Sequence, residues 1–422
     1  MTNSETVPQL SADLQSAIDE QVGGIESRLV SVRRHLHSHP EPSCQERETT
    51  QYLAERLREA EIDAKVCRDG LGVIADLDVG DVTASSPRIA LRADIDALLI
   101  QDAKQTPYAS KRPGLCHACG HDAHSTMVLG AAWTAAGLPA NLPIGPDGGG
   151  VRLRFLFQPA EEEALGAHWL VEQGAVDGCR AVLAQHVDPD RQLGTVGIRY
   201  GMLTSHCDDI EIIIEGHGGH AARPHQARDP IAAAAHLVSA LYEFLPRFVD
   251  ARDPVVFTVG KLSAGTLSNV IPGRAEILGS LRTINQETRK RVQERIESIV
   301  HGVQEASGTT IHLKFHYSID GVLNDRQCTA ALESAARRVL GDEAIQHIDV
   351  PSMGAEDFSA YLTRVPGAML RLGCAPPGFT APHLHAPDFD VDERVLAIGT
   401  RILLTAALTL AETPAAGGGA GI

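Results

Sequence analysis

Apolar residues recur at helical spacing near the start of the chain, with Ile25, Leu29, Val32 and Leu36 on one stripe. This predicts a helix over about Gly24 to His39, closed by Pro40. A second amphipathic pattern runs from roughly Glu46 to Ala60. The period then changes. GVIADLDV and RIALRADIDAL are short apolar runs of strand type, followed by the His-rich stretch GLCHACGHDAH and a helical pattern in TMVLGAAWTAAG. LPANLPIGPDGGG (138–150) has the Pro and Gly density of an exposed loop. Beyond it come a strand (VRLRFLF), the turn QPAEEE, a helix and another strand (AVLAQHV). Such alternation predicts an α/β domain with a mixed, mostly parallel sheet and flanking helices.

The middle of the chain has another rhythm. DIEIIIEG, PVVFTVGKL, RAEILGSLRT and TIHLKFHYS are strand-like, with helical patterns in DPIAAAAHLVSALYEFLPRF and QETRKRVQERIESIVHGVQE. The order β-α-β-β-α-β is that of a ferredoxin-like α+β unit. It predicts an inserted small domain over 204–317, with 1–203 and 318–422 forming one discontinuous catalytic domain. The C-terminal TPAAGGGAGI has the composition of a disordered tail, and no internal repeat is visible.

A chain of 422 residues favours two domains, and 43% hydrophobic with 22% charged residues is ordinary for a globular protein. The net charge of −17 argues against nucleic acid or an anionic membrane as partner. It also means that an anionic substrate needs a local cluster of Arg or His. The N-terminus lacks the pattern of a signal peptide, and no run of about 18 apolar residues occurs, Arg401 interrupting the apolar C-terminal segment. Eight cysteines in this length do not make a disulfide framework, so a cytoplasmic location is expected.

The chemistry concentrates at Cys116, His117, Cys119, His121, Asp122 and His124. Thiolate and imidazole are ligands for zinc and other first-row divalent metals. A structural zinc site built on Cys116 and Cys119 would need a second cysteine pair at similar spacing, which the sequence lacks. Glu161 and Glu162 follow a strand, where ligands of open α/β sheets gather. One carboxylate could hold metal while the other acts as general base; the bland alternative is an acidic helix N-terminus. His186, Asp94 and Asp96 also sit at predicted strand ends, and His383 and His385 offer a further imidazole. Singly each is ambiguous; metal-type ligands at three strand ends are not.

The segments RRHLHSHPEPS, LRADIDAL, CHACGHDAH, FQPAEE, GGHAARPH, SNVIPGRAEILGSLRT, GAEDFSAYL and LHAPDFDVDE, in this order, resemble the M20 family of metallopeptidases over about 25–410. The similarity is to the branch of aminoacylases, hippurate hydrolases and indole-acetyl-amino-acid hydrolases. It implies five metal ligands, Cys119, His121, Glu162, His186 and His385, holding two divalent ions, Mn2+ or Zn2+. Glu161 matches the general base. His220 matches a residue that stabilises the oxyanion across a dimer interface, and Asn269 and Arg282 match residues that hold the substrate, Arg282 its carboxylate. The inserted domain is then a lid and the surface of a homodimer, and Asp94 and Asp122 are candidates for orienting the ligands. The implied reaction is hydrolysis of the amide of a small N-acyl amino acid by an activated water. A dipeptidase or carboxypeptidase of the same superfamily, a cysteine-nucleophile hydrolase and a non-catalytic metal-dependent binding protein are the rivals. Cys116 and Arg223 stand where apolar residues are more usual, and the 138–150 loop is long.

Overall fold

A computed structural model describes residues 10–139, 142–144, 149–378 and 382–413. The C-terminal tail from 414 and parts of the 138–150 loop lie outside the described residues. Within that loop, Leu138 and Ile144 are buried against the core rather than exposed. The chain divides into two compact units, one of Met1–Gly201, Leu323–Asp349 and Asp357–Ile422, the other of Met202–Val322 and Val350–Glu356.

The first unit is α/β. Its eight-stranded mixed sheet runs in the order Asp63–Val66, Val73–Val79, Val151–Gln158, Arg88–Asp94, Ala181–Gln192, Gly367–Ala375, Val196–Ile198, Ile345–His347. The third to sixth strands in this order are parallel to one another. Both faces are buried there, which is why residues 89–91 and 181–184 are unbroken apolar runs rather than alternating ones.

Helix Ala12–Ser38 packs on helices His121–Ala136 and Arg394–Glu412, which pack on each other and on this sheet. The first begins well before Gly24, where Ser11 accepts a hydrogen bond from the Leu14 N–H at 3.2 Å. Gly23 and Gly24 do not break it, and a Cβ on either would meet nothing within 4 Å. Arg394–Glu412 is long and apolar enough to cross a membrane despite Arg401, but 83% of its most apolar window is buried inside the protein. That burial makes it a core helix.

In the second unit an antiparallel sheet, ordered Val255–Ala264, Arg274–Thr283, His206–Glu215, Thr310–Ile319, is built with the helices Pro230–Phe248 and Gln286–Ser307 in the ferredoxin-like succession. The strands contribute Ile210, Ile212, Ile214, Ile277 and Leu281, and the helices Leu237, Leu241, Val292 and Ile296, to one core. Asp229 and Asn285 cap the two helices through their side-chain oxygens. A short ribbon pairing Gly219–His220 with Val270–Ile271 lies outside this plan and carries no apolar alternation to announce it.

Candidate metal centre

The parallel strands end at one edge of the first unit, and their ends are where the ligand-type residues stand. Asp94 pairs with Gln158 in register, closing Arg88–Asp94 and Val151–Gln158 together. Ala181–Gln192 pairs with Arg88–Asp94 only as far as Ala184 opposite Arg92. His186 is therefore inside a strand that continues to Gln192, beyond the reach of its neighbour, rather than at a strand end. Buried Arg92 ties these ends together, donating to Gln158 Oε1 (2.8 Å), Asp94 Oδ2 (2.8 Å) and Asp357 Oδ1 (2.9 Å).

The His-rich segment straddles a helix start. His121 is the first residue of His121–Ala136, and Gly120 precedes it with φ +87°, where a Cβ would lie 2.4 Å from Val187 Cγ2. Only glycine fits that turn. The turn carrying Glu161 and Glu162 is entered through Ala160 at φ 48°, a strained backbone held by a 2.7 Å hydrogen bond from its N–H to Glu46 Oε1. It is not a helix N-terminus, since the next helix begins at Gly166 with no acid in its first turn. His385, also at positive φ (65°), donates its backbone N–H to Ala118 O at 2.8 Å.

These devices bring the five residues together. Cys119 Sγ lies 3.5 Å from His186 Nε2, and His385 Nε2 lies 3.5 Å from Glu162 Oε1. His121 Nε2 is 3.8 Å from Glu161 Oε2 and 3.9 Å from Glu162 Oε1. Cys119, His121 and His186 form one group whose ligand atoms lie within 4.8 Å of one another; Cys119, Glu162 and His385 form a second, and His121, Glu161 and Glu162 a third. His383, by contrast, is exposed and lies 3.5 Å from Asp190.

Hydrogen bonding identifies the free lone pairs. His186 Nδ1 donates to Val187 O (2.7 Å) and His121 Nδ1 to Asp96 (3.0 Å to O, 3.1 Å to Oδ1), so each turns Nε2 inward. His124 differs. Its Nε2 accepts from the Val187 N–H (2.9 Å), so its Nδ1 carries the proton given to Asp94 Oδ1 (2.7 Å). Both its nitrogens are spent on structure. His121 Nε2 and Glu162 Oε1 are buried with no hydrogen-bond partner. Such orphans are rare in proteins and point to a missing partner. Sulfur, imidazole and carboxylate donors around them suit a first-row divalent cation.

Electrostatics sets a proton cost on the centre: burial lowers His121, but Asp94, Cys119 and Asp96 outweigh it and raise His121 well above the usual histidine range, so a cation must displace its proton. Burial pushes the Cys119 thiol up to about 12, and burial, with Arg371 and His124, holds His186 well below the usual histidine range. His186 stays neutral and ligand-competent, whereas Cys119 must lose a proton to bind a cation, so cation binding strengthens as pH rises.

Asp94 faces the centre, 3.8 Å from His121 Nε2. Asp122 turns away: its hydrogen-bond partners are Arg33 Nε (2.8 Å) and His37 Nδ1 (2.7 Å). Asp96, named in the sequence only as one of two strand-end acids, links several parts of the centre. Besides His121 it accepts from Ser43 Oγ (2.7 Å) and the Glu162 N–H (3.0 Å), joining two ligand-bearing segments. The second acid of Asp94-Ile95-Asp96, at the end of a buried strand, was the available signal.

His220, Asn269 and Arg282 belong to the second unit. His220, on the short ribbon, and Asn269, just before its second strand, are both exposed, and the Ala221 N–H donates to Asn269 O at 3.1 Å. Arg282 is half-buried near the end of its strand, its Nη1 donating to Met353 O at 3.0 Å.

Residues 90–409 match the peptidase family M20/M25/M40. The chain belongs to that family. It is a metallo-hydrolase of the family's amidohydrolase branch, acting on C–N bonds. It is 41% identical over 383 residues to the probable hydrolase sll0100 of Synechocystis sp., covering 90% of this chain and 95% of that one. It is 37% identical over 391 residues to the N-acetyl-L-cysteine deacetylase of Bacillus subtilis, covering 92% and 89%. Among solved structures it resembles the Bacillus subtilis protein YXEP, described as a dinuclear metal binding peptidase from the M20 family, with TM-score 0.78 and 34% identity over 93% of this chain and 100% of that one.

Proposed function

We propose that this M20 enzyme hydrolyses the amide bond of small N-acyl amino acids. The observation that carries this reading is the convergence of Cys119, His121, Glu162, His186 and His385 on orphaned inward lone pairs, with the second carboxylate of Glu161 beside them. These five residues hold two divalent ions, Mn2+ or Zn2+, as the dinuclear relative supports. When bound, such a pair supplies Lewis acidity for the amide carbonyl and lowers the pKa of water.

The chain's own residues do the rest. Glu161 accepts a proton from the attacking water and passes it to the leaving nitrogen, two roles set by one position. Asp96 fixes the ring of His121, Asp94 holds His124 against the strand of His186, and Asp122 anchors the helix that begins at His121. His220 of the partner subunit stabilises the developing oxyanion. Asn269 orients the substrate, and Arg282 offers its carboxylate a guanidinium fork. In this reading the second unit serves as lid and as the surface of a homodimer, and the enzyme works in the cytoplasm, with all eight cysteines free.

A panel of N-acetyl, N-benzoyl and longer N-acyl amino acids, set against dipeptides with a free α-amino group, tests the reading through release of free amino acid. Turnover of the acylated members, with dipeptides at least about tenfold slower in kcat/KM, is the expected result. Preferential cleavage of the dipeptides would make the enzyme a peptidase instead.

A further inference from the structure

Residues 216–228, GHGGHAARPHQAR, hold two arginines, three histidines and no acid in a chain of net charge −17. All five basic side chains are exposed. Among the described residues neither Arg223 nor Arg228 has a carboxylate within ion-pair distance.

The segment is nevertheless held in shape. His217 and Arg228 exchange two backbone hydrogen bonds, 2.9 Å from the His217 N–H and 3.0 Å from the Arg228 N–H. His220 pairs with Val270 in the ribbon. Between these clamps the Arg223 N–H donates to His220 O at 2.8 Å, and the Ala222 N–H donates to His220 Nδ1 at 3.1 Å. Glycine makes the approach possible: a Cβ at Gly216 would stand 2.2 Å from Arg228 O, and one at Gly218 would stand 2.8 Å from Ile271 O. An exposed arginine gains little stability from its charge. A pinned backbone that presents an unpaired guanidinium is instead pre-organised for a carboxylate, which arginine takes in bidentate fashion. The neighbouring Arg228, in a segment with no acid, adds to the local positive potential that an anion needs to approach a chain of this net charge.

We infer that Arg223 is a specificity residue selecting N-acyl amino acids that bear a second carboxylate besides the α-carboxylate, on the acyl chain or on the amino-acid side chain. The inference rests on the reading above that His220, in the same turn, meets the substrate. It separates two tasks: Arg282 takes the carboxylate that all such substrates share, and Arg223 the one that only some carry.

Two matched pairs test it on the metal-loaded enzyme. N-succinyl-alanine against N-pentanoyl-alanine varies the acyl chain, and N-acetyl-glutamate against N-acetyl-glutamine varies the side chain. In at least one pair the wild type should favour the dianionic member in kcat/KM by about tenfold or more, a preference that shrinks as salt is raised. In Arg223→Met the ratio should collapse to within about twofold, and Arg223→Lys should keep part of it. Equal rates within both pairs, or a preference that survives Arg223→Met, would overturn the inference while leaving amidohydrolase activity established. Absence of turnover for all four substrates would instead remove the reading on which it rests.

Discussion

Replacing Glu161 with Gln should lower kcat by about 10³-fold, the middle of the range for a positioned general acid–base, while metal content stays at the wild-type level. The amide keeps the size of the side chain and its place 3.8 Å from His121 Nε2, but it cannot take a proton from water or return it to the leaving amine. Elemental analysis of the purified variant beside its rate separates the two adjacent acids. Metal lost together with activity would make Glu161 a ligand and hand the proton-transfer role to Glu162. The geometry opposes that exchange: Glu162 Oε1 is the buried orphan and faces both His121 and His385.

The largest effect on stability should come from Arg33→Met. Arg33 is fully buried and donates to Asp122 Oδ2 (2.8 Å) and Asp390 Oδ1 (2.6 Å), with Glu393 at 3.7 Å. Burial disfavours the Asp122 carboxylate, but Arg33 and then His37 outweigh it and hold Asp122 well below the usual range. Among the described residues the buried Asp122 charge then keeps His37 as its one side-chain hydrogen-bond partner, and breaking such a pair costs about 3–5 kcal/mol. Trp133 and Trp169 both lie in the first unit, so urea unfolding followed by tryptophan fluorescence reads this unit. The double variant Arg33→Met with Asp122→Asn should recover much of the loss, because the orphaned charge goes with it. Equal losses in the single and double variants would mean that packing, not charge, gives Arg33 its importance.

Much of the centre was legible in the sequence because its ligands sit in short contiguous motifs. Cys119 and His121 announce themselves by spacing, and Glu161 and Glu162 by following an alternating strand. The α/β plan and the ferredoxin-like succession followed from hydrophobic period alone. What was hidden depends on contacts distant in the chain. Arg92 and Asp357 are 265 positions apart, and nothing local tells that a buried arginine will tie strand ends to the GAEDF segment. The resemblance leaves His124 out of the ligand set, but the reason is not local: the Val187 N–H occupies its Nε2. The first helix reaches back to Ala12, well beyond the stripe that begins at Ile25, and it runs through Gly23 and Gly24 because glycine on an open helix face costs only about 1 kcal/mol each against alanine. His186 lies inside its strand because the strand outlasts its neighbour, a fact of sheet register rather than of local sequence.

The most direct test of the metal-dependent hydrolase is to strip the protein with a chelator and restore Mn2+ or Zn2+ in steps, following amino-acid release from an N-acetyl amino acid. The account predicts no turnover in the stripped protein and recovery that saturates at two equivalents per chain. Turnover that persists undiminished after the metal is gone would contradict it.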